Sequence, residues 1–217
     1  ETLAWIKSNQ TAKQFAEPAP IRRILPPFSD QIIEHKQLVM PVERPKVTIG
    51  IRGMDKLPVG IERLKYEDAL SLGFTLLLGE TAPDFLSLYD QGIIDDSFGY
   101  NIELQRGAHH VIMAGEADDP AAFENALSDI LQHADDKLAA AGDRFEAVQR
   151  EAIGSTLSSF NSLEAIANQF DDRLYGEANL FDEVGVVKAL TMSDVISTMQ
   201  QFIRTASISV QEIVSGH

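Results

Sequence analysis

The chain has 217 residues, 44% of them hydrophobic, which is ample for a packed core in one large domain or two small ones. Its 33 acidic side chains against 18 basic ones give a formal net charge of -15, so nucleic acid is excluded as an expected partner. With no cysteine there are no disulfides or thiolate metal sites, cytoplasmic residence is expected, and no run reaches the ~20 apolar residues a membrane helix needs.

Residues 1–15 read as a short amphipathic helix with Leu3, Trp5 and Ile6 on its apolar side. The chain begins with Glu1 rather than Met, as a fragment or processed product would. Six of the nine prolines fall within residues 18–45, and each removes an amide donor and favours extended backbone in its predecessor. The expectation is a linker over 16–45 with a short edge strand at 38–42, a domain boundary near residue 45, and one domain over 46–217. In that division, 1–15 is a helix left over from a preceding domain.

In "KVTIGIRG", Val47, Ile49 and Ile51 alternate with Thr48, Gly50 and Arg52, the period of a half-buried strand. A largely enclosed helix follows, carrying Tyr66, Leu70, Phe74 and Leu77 and ending at Gly79. The next helix opens at Thr81, with Asp84 at capping-box spacing, buries Phe85, Leu88 and Tyr89, and stops before Gly92. Then "SFGYNIELQ" and "AHHVIMAGEA" alternate as a hairpin turning at Arg106 and Gly107. Asp119-Pro120 starts a helix whose face runs from Phe123 to Leu138. Helices are expected over 143–158, 161–175 and 192–204, the last opened by a Thr191/Asp194 capping box, and a strand over 207–214. This order predicts an α+β fold: a mixed, mostly antiparallel sheet covered by helices on one face.

Several short patterns carry possible chemistry. "QIIEH" at 31–35 is one residue short of the zinc-binding His-x-x-Glu-His, with Gln31 at the first ligand position. Its proline-rich surroundings read as solvated linker. His109 and His110, taken as mid-strand neighbours, point to opposite faces and share no metal. His133 falls on a polar helix side and His217 at the terminus. No metal ligand and no catalytic residue is expected in this chain. No serine occupies a Gly-x-Ser-x-Gly elbow, and "GIRGMDKLPVG" lacks the spacing of a phosphate loop. Asp95 and Asp96 read as turn or cap residues.

From "LLLGETAPDFLSLYDQGIIDDSFGY" through "HHVIMAGEADDPAAFENAL" the chain resembles the C-terminal half of the pitrilysin-like (insulinase-type) zinc peptidases, in particular a bacterial, processing-protease-like subgroup. "KQFAEPAPIRRILPP" and "VMPVERPKVTIGIRG" are similar to the bridge between the two halves of such proteins, so the resemblance covers nearly the whole chain. It implies one half of a clamshell that closes over an extended peptide. Any catalytic zinc would sit in the N-terminal half or a partner subunit, if that half has an intact motif. The partners implied are that half, or a homologous subunit, and a peptide substrate, with no membrane. The family's C-terminal halves place an Arg and, seven residues on, a Tyr toward the substrate. Here Tyr89 stands at the Arg position and Tyr100 follows eleven residues later. These two are the expected substrate-binding residues, and the cation is missing. The alternative is a degenerate scaffold module that pairs with a catalytic subunit and binds no peptide.

Overall fold

The computed structural model describes residues 1–16, 32–104, 108–169 and 178–216. Residues 1–30 and 31–217 form separate compact units. In the first, α1 spans Thr2–Ala12 and none of its side chains is buried. The predicted turn at Arg106 and Gly107, Gln31, His217 and the prolines at 18, 20, 26 and 27 lie outside the described residues.

The second unit is built on a five-stranded sheet of order β1-β5-β2-β4-β3, formed by β1 (His35–Val39), β2 (Lys46–Arg52), β3 (Gly99–Glu103), β4 (His110–Glu116) and β5 (Ser207–Val214). Only β1 and β5 pair in parallel; the other three pairings are antiparallel, which gives the mixed sheet expected from the sequence. The alternation of β2 translates directly into burial: Val47, Ile49 and Ile51 are at most 1% exposed, while Thr48, Gly50 and Arg52 are partly open. The buried face lies under the helices, where each fully enclosed Leu, Ile or Phe contributes about 1.5–3 kcal/mol of transfer free energy.

The principal cover is α2 (Ile61–Leu78), whose Tyr66, Leu70, Phe74 and Leu77 all join the core. Gly73 interrupts good helix formers, at a cost of about 1 kcal/mol relative to Ala. The reason is packing: a β-carbon there would fall 2.4 Å from Met199 Cγ, so the glycine admits α9 (Met192–Thr205) at close range. Helix α3 (Pro83–Asp90) and α4 (Pro120–Gln132) fill the β3–β4 side. Phe123 of α4 lies against Gly115 of β4, where an added β-carbon would meet its ring at 3.1 Å. Two termini behave as their sequences dictate. Asp119 accepts from the Ala122 amide ahead of Pro120, and Thr191 and Asp194 form the reciprocal capping box.

Five expectations are corrected. The helix read from Phe123 to Leu138 is two, α4 and α5 (Ala134–Ala140), broken at His133, whose Nδ1 approaches the Asp129 carbonyl at 2.9 Å and closes the last turn of α4. After α6 (Gly142–Ser159) and α7 (Leu163–Gln169) comes an unpredicted α8 (Glu183–Ala189), a valine-rich segment whose glycine weakens its helical signal and which packing on α2 and α6 stabilises. Helix α3 starts at Pro83 with no side-chain cap, because Asp84 pairs with Lys137 at 2.8 Å instead of closing a box with Thr81. His109 and His110 are not mid-strand: His110 is the first residue of β4 and His109 precedes it. The edge strand begins at His35, not Leu38, so the histidine of "QIIEH" is part of the sheet, held by the Val210 amide donating to the Glu34 carbonyl at 2.7 Å.

Candidate functional site

The feature that collects the expected substrate residues is a groove of ≈ 630 Å³ beside β3. Gly92, at φ 68°, ends the α3 segment in the left-handed conformation that glycine adopts without strain, and turns the chain so that Ile94 plugs the core. The chain then bends through Asp95–Ser97 into β3, which faces α3 across the groove. Phe85, Leu86 and Tyr89 line one wall, and Phe98, Gly99 and Tyr100 the other. Phe85 and Tyr89 stack with ring centroids 6.0 Å apart.

Tyr89 is corrected from buried to exposed, at 43%. Its hydroxyl donates to Asp96 Oδ1 at 2.7 Å, and this bond to a carboxylate raises its pKa. Tyr100 is half-buried, its ring 5.9 Å from that of Phe74. Its hydroxyl lies 3.1 Å from Thr75 Oγ1. Thr75 has one hydroxyl proton and gives it to the Ser71 carbonyl at 2.9 Å, so in this pair Tyr100 donates. The phenolic oxygen keeps free acceptor capacity toward the groove, and burial raises the tyrosine pKa.

Glu80, Asp95 and Asp96 make the rim acidic. Asp95 has the turn role read from the sequence: the Ser97 amide and hydroxyl donate to Oδ1, while Arg44 approaches Oδ2 at 2.6 Å. The Ser97 hydroxyl and then Arg44 hold the Asp95 carboxyl down at about 2. Arg44 also contacts Asp118 at 2.9 Å and Glu116 at 3.6 Å, so one guanidinium ties the entry to β2 to the rim of the groove. Its role had no signal in the sequence, since its three carboxylate partners are brought to it by the fold.

A second polar cluster was also missed. Tyr66 donates to Asp55 Oδ2 at 2.9 Å and lies 3.1 Å from His109 Nε2, while Gln201 donates to the same Asp55 oxygen at 2.8 Å. Asp55 Oδ1 is buried without a hydrogen bond, 3.4 Å from His109 Nε2. Burial holds the imidazole below its ordinary pKa although Asp55 pulls the other way. Only the alternation around His109 hinted at an inward-facing imidazole; nothing marked Asp55.

The residues of "QIIEH" do not form a zinc-binding His-x-x-Glu-His helix: His35 opens strand β1, and Gln31 stands at the first ligand position. Among the described residues, one group does have ligand-like geometry, formed by His35, Glu124 and Glu212. Among the described residues no helix is long and apolar enough to cross a membrane.

No family model matches the chain. It is 27% identical over 213 residues to the uncharacterized zinc protease YmfH of Bacillus subtilis, covering 98% of this chain and 49% of that protein. In structure it is similar to an M16-like peptidase from Alicyclobacillus acidocaldarius, with a TM-score of 0.83, 22% identity, and coverage of 97% of this chain and 50% of the other. It is also similar to a peptidase M16 inactive domain from Pseudomonas fluorescens, with a TM-score of 0.69, 13% identity, and coverage of 99% and 51%. The chain thus spans about half the length of each. These likenesses bear out the resemblance read from the sequence, and the α+β fold is that of an M16-like peptidase half.

Proposed function

We propose that this chain, with the fold of an M16-like peptidase half, is the noncatalytic wall of a two-half clamshell and holds an extended peptide in the groove beside β3. The observation that carries the reading is the convergence of Tyr89 and Tyr100 on one groove next to a sheet edge. β3 is last in the strand order, and among the described residues no strand pairs with its outer side. An extended peptide can add to such an edge through backbone hydrogen bonds without sequence readout. Tyr100 then offers its oxygen to a peptide N–H, and Tyr89 gives an aromatic surface. The acidic rim favours peptides with basic side chains.

Any catalytic zinc comes from the N-terminal half or a homologous subunit, and residues 16–45 act as the connector between the halves, with cytoplasmic residence. Gly99 tests the peptide reading, because it lines the groove and a β-carbon there meets nothing within 4 Å. In the two-half protein, Gly99→Trp should abolish binding of a fluorescent basic peptide, read by anisotropy, while leaving association of the halves intact. Unchanged peptide binding would reject the groove and favour the scaffold alternative.

A further inference from the structure

At the sheet edge opposite the groove, three residues far apart in sequence present ligand atoms to one point. β1 and β5 run parallel with His35 opposite Val210 and Gln37 opposite Glu212, so His35 and Glu212 share the face on which Val210 is buried. Glu124 reaches the same place from the first turns of α4. His35 Nε2 lies 3.5 Å from Glu212 Oε1 and 3.9 Å from Glu124 Oε2, and all three ligand atoms fall within 4.8 Å of one another. Bond lengths of 2.0–2.2 Å to a tetrahedral zinc put neighbouring ligand atoms about 3.4 Å apart; both histidine distances are within about half an ångström of that spacing, and the two carboxylate oxygens, no more than 4.8 Å apart, close on one ion by side-chain rotation.

The charge arrangement points the same way. The Glu212 side chain is nine-tenths buried, and among the described residues no Lys or Arg forms an ion pair with Glu212 or Glu124; His35 alone approaches both. Two like charges this close, one of them largely removed from water, lack a fixed cation. Gln37 Nε2 donates to Glu212 Oε2 at 2.9 Å and so leaves Oε1 turned toward His35, the kind of outer hydrogen bond that orients a metal-binding carboxylate. His35 is half-exposed, which leaves a path for an ion from solvent.

We infer that His35, Glu124 and Glu212 bind a divalent first-row cation of the zinc type, with water at the fourth position. One imidazole with two carboxylates suits zinc, cobalt or manganese better than calcium or magnesium, which take oxygen alone. The ion joins β1, β5 and α4, and so clips the edge strand nearest the proline-rich segment onto the sheet. The site is separate from any catalytic zinc of a partner half.

The test uses the tag-free 217-residue chain, stripped with EDTA and dialysed. Titration with zinc chloride, followed calorimetrically, should saturate at one ion per chain and raise the melting temperature. Cobalt(II) should develop the visible d–d absorption of a four-coordinate site. His35→Ala and Glu124→Gln should each weaken binding at least about tenfold and remove the cobalt bands. Glu124→Gln changes a partly exposed helix position, so its melting temperature in EDTA should match the parent chain and keep the comparison valid. The proposal is overturned if zinc and cobalt show no saturable binding, or if both variants bind as tightly as the parent.

Discussion

His109 lies so closely over Gly53 that a β-carbon on the glycine would fall 2.4 Å from the imidazole Nε2. The Gly53 amide also donates to the His109 carbonyl at 2.9 Å, so the backbone has no freedom to withdraw. Gly53→Ala must therefore displace a ring wedged between Tyr66 and Phe202. The expected loss is about 1–3 kcal/mol by urea denaturation, the range for overpacking. In a His109→Ala background the same change should cost little, because the obstructing ring is gone; an equal cost in both backgrounds would place the strain elsewhere.

The same imidazole sets an acid limit on stability. Burial lowers its pKa below the ordinary 6.5, so between those two values the unfolded chain binds the proton more readily than the folded one. The contribution of neutral His109 is complete above pH 6.5 and is lost as pH falls through the folded value. Asp55, Arg63 and His110 face it electrostatically, and Asp55 opposes the shift. An NMR titration should find His109 protonating below pH 6.5, and His109→Gln should flatten the decline in stability as pH falls below 6.5. A midpoint above 6.5 would mean that Asp55 outweighs burial.

Asp68 gives a trend of opposite sign. Its Oδ2 is buried on α2 without a hydrogen-bond partner, and burial, followed by the nearby charges of Glu183 and Glu67, pushes the carboxyl up to about 8. The folded state then holds a proton that the unfolded state releases near pH 4, so stability should fall as pH rises from about 4 to about 8 and level off above. Asp68→Asn is neutral throughout and should be more stable than the parent chain at pH 8.5, with the advantage shrinking toward pH 5. Parallel stability curves for the two chains would refute a protonated Asp68.

These cases show which parts of the molecule the sequence makes legible. Residues 46–52 alternate apolar and polar because one sheet face is buried, so the period itself reports the strand, whereas in 207–214 the apolar alternation stops after Val210 and the buried face continues with Glu212. The Thr191/Asp194 box was readable because both partners lie within one turn. β1 has almost no such pattern: four of its five residues are exposed, and its identity depends on a partner strand at the far end of the chain. For the same reason "QIIEH" read as linker. Tyr100 was recognisable from strand alternation, but the groove it shares with Tyr89 exists only once α3 is packed beside β3, and the pairing of His35 with Glu124 and Glu212 rests wholly on tertiary placement.

Tyr100→Phe separates support of the fold from capture of peptide. The substitution keeps the ring against Phe74 and removes only the hydroxyl that donates to Thr75. Thr75 still donates to the Ser71 carbonyl, so no buried proton is orphaned, and the loss in stability should be about 1 kcal/mol or less. If the phenolic oxygen also accepts from a peptide N–H, affinity for the basic peptide in the two-half protein should fall by a similar free energy, about fivefold. Tyr89→Phe provides the contrast: its hydroxyl is held by Asp96 at an exposed position, so the change should leave stability nearly unaltered while preserving the aromatic wall. Stability comes from denaturant midpoints and affinity from anisotropy. A Tyr100→Phe protein that loses stability but binds peptide unchanged would confine Tyr100 to the core and leave the scaffold reading ahead.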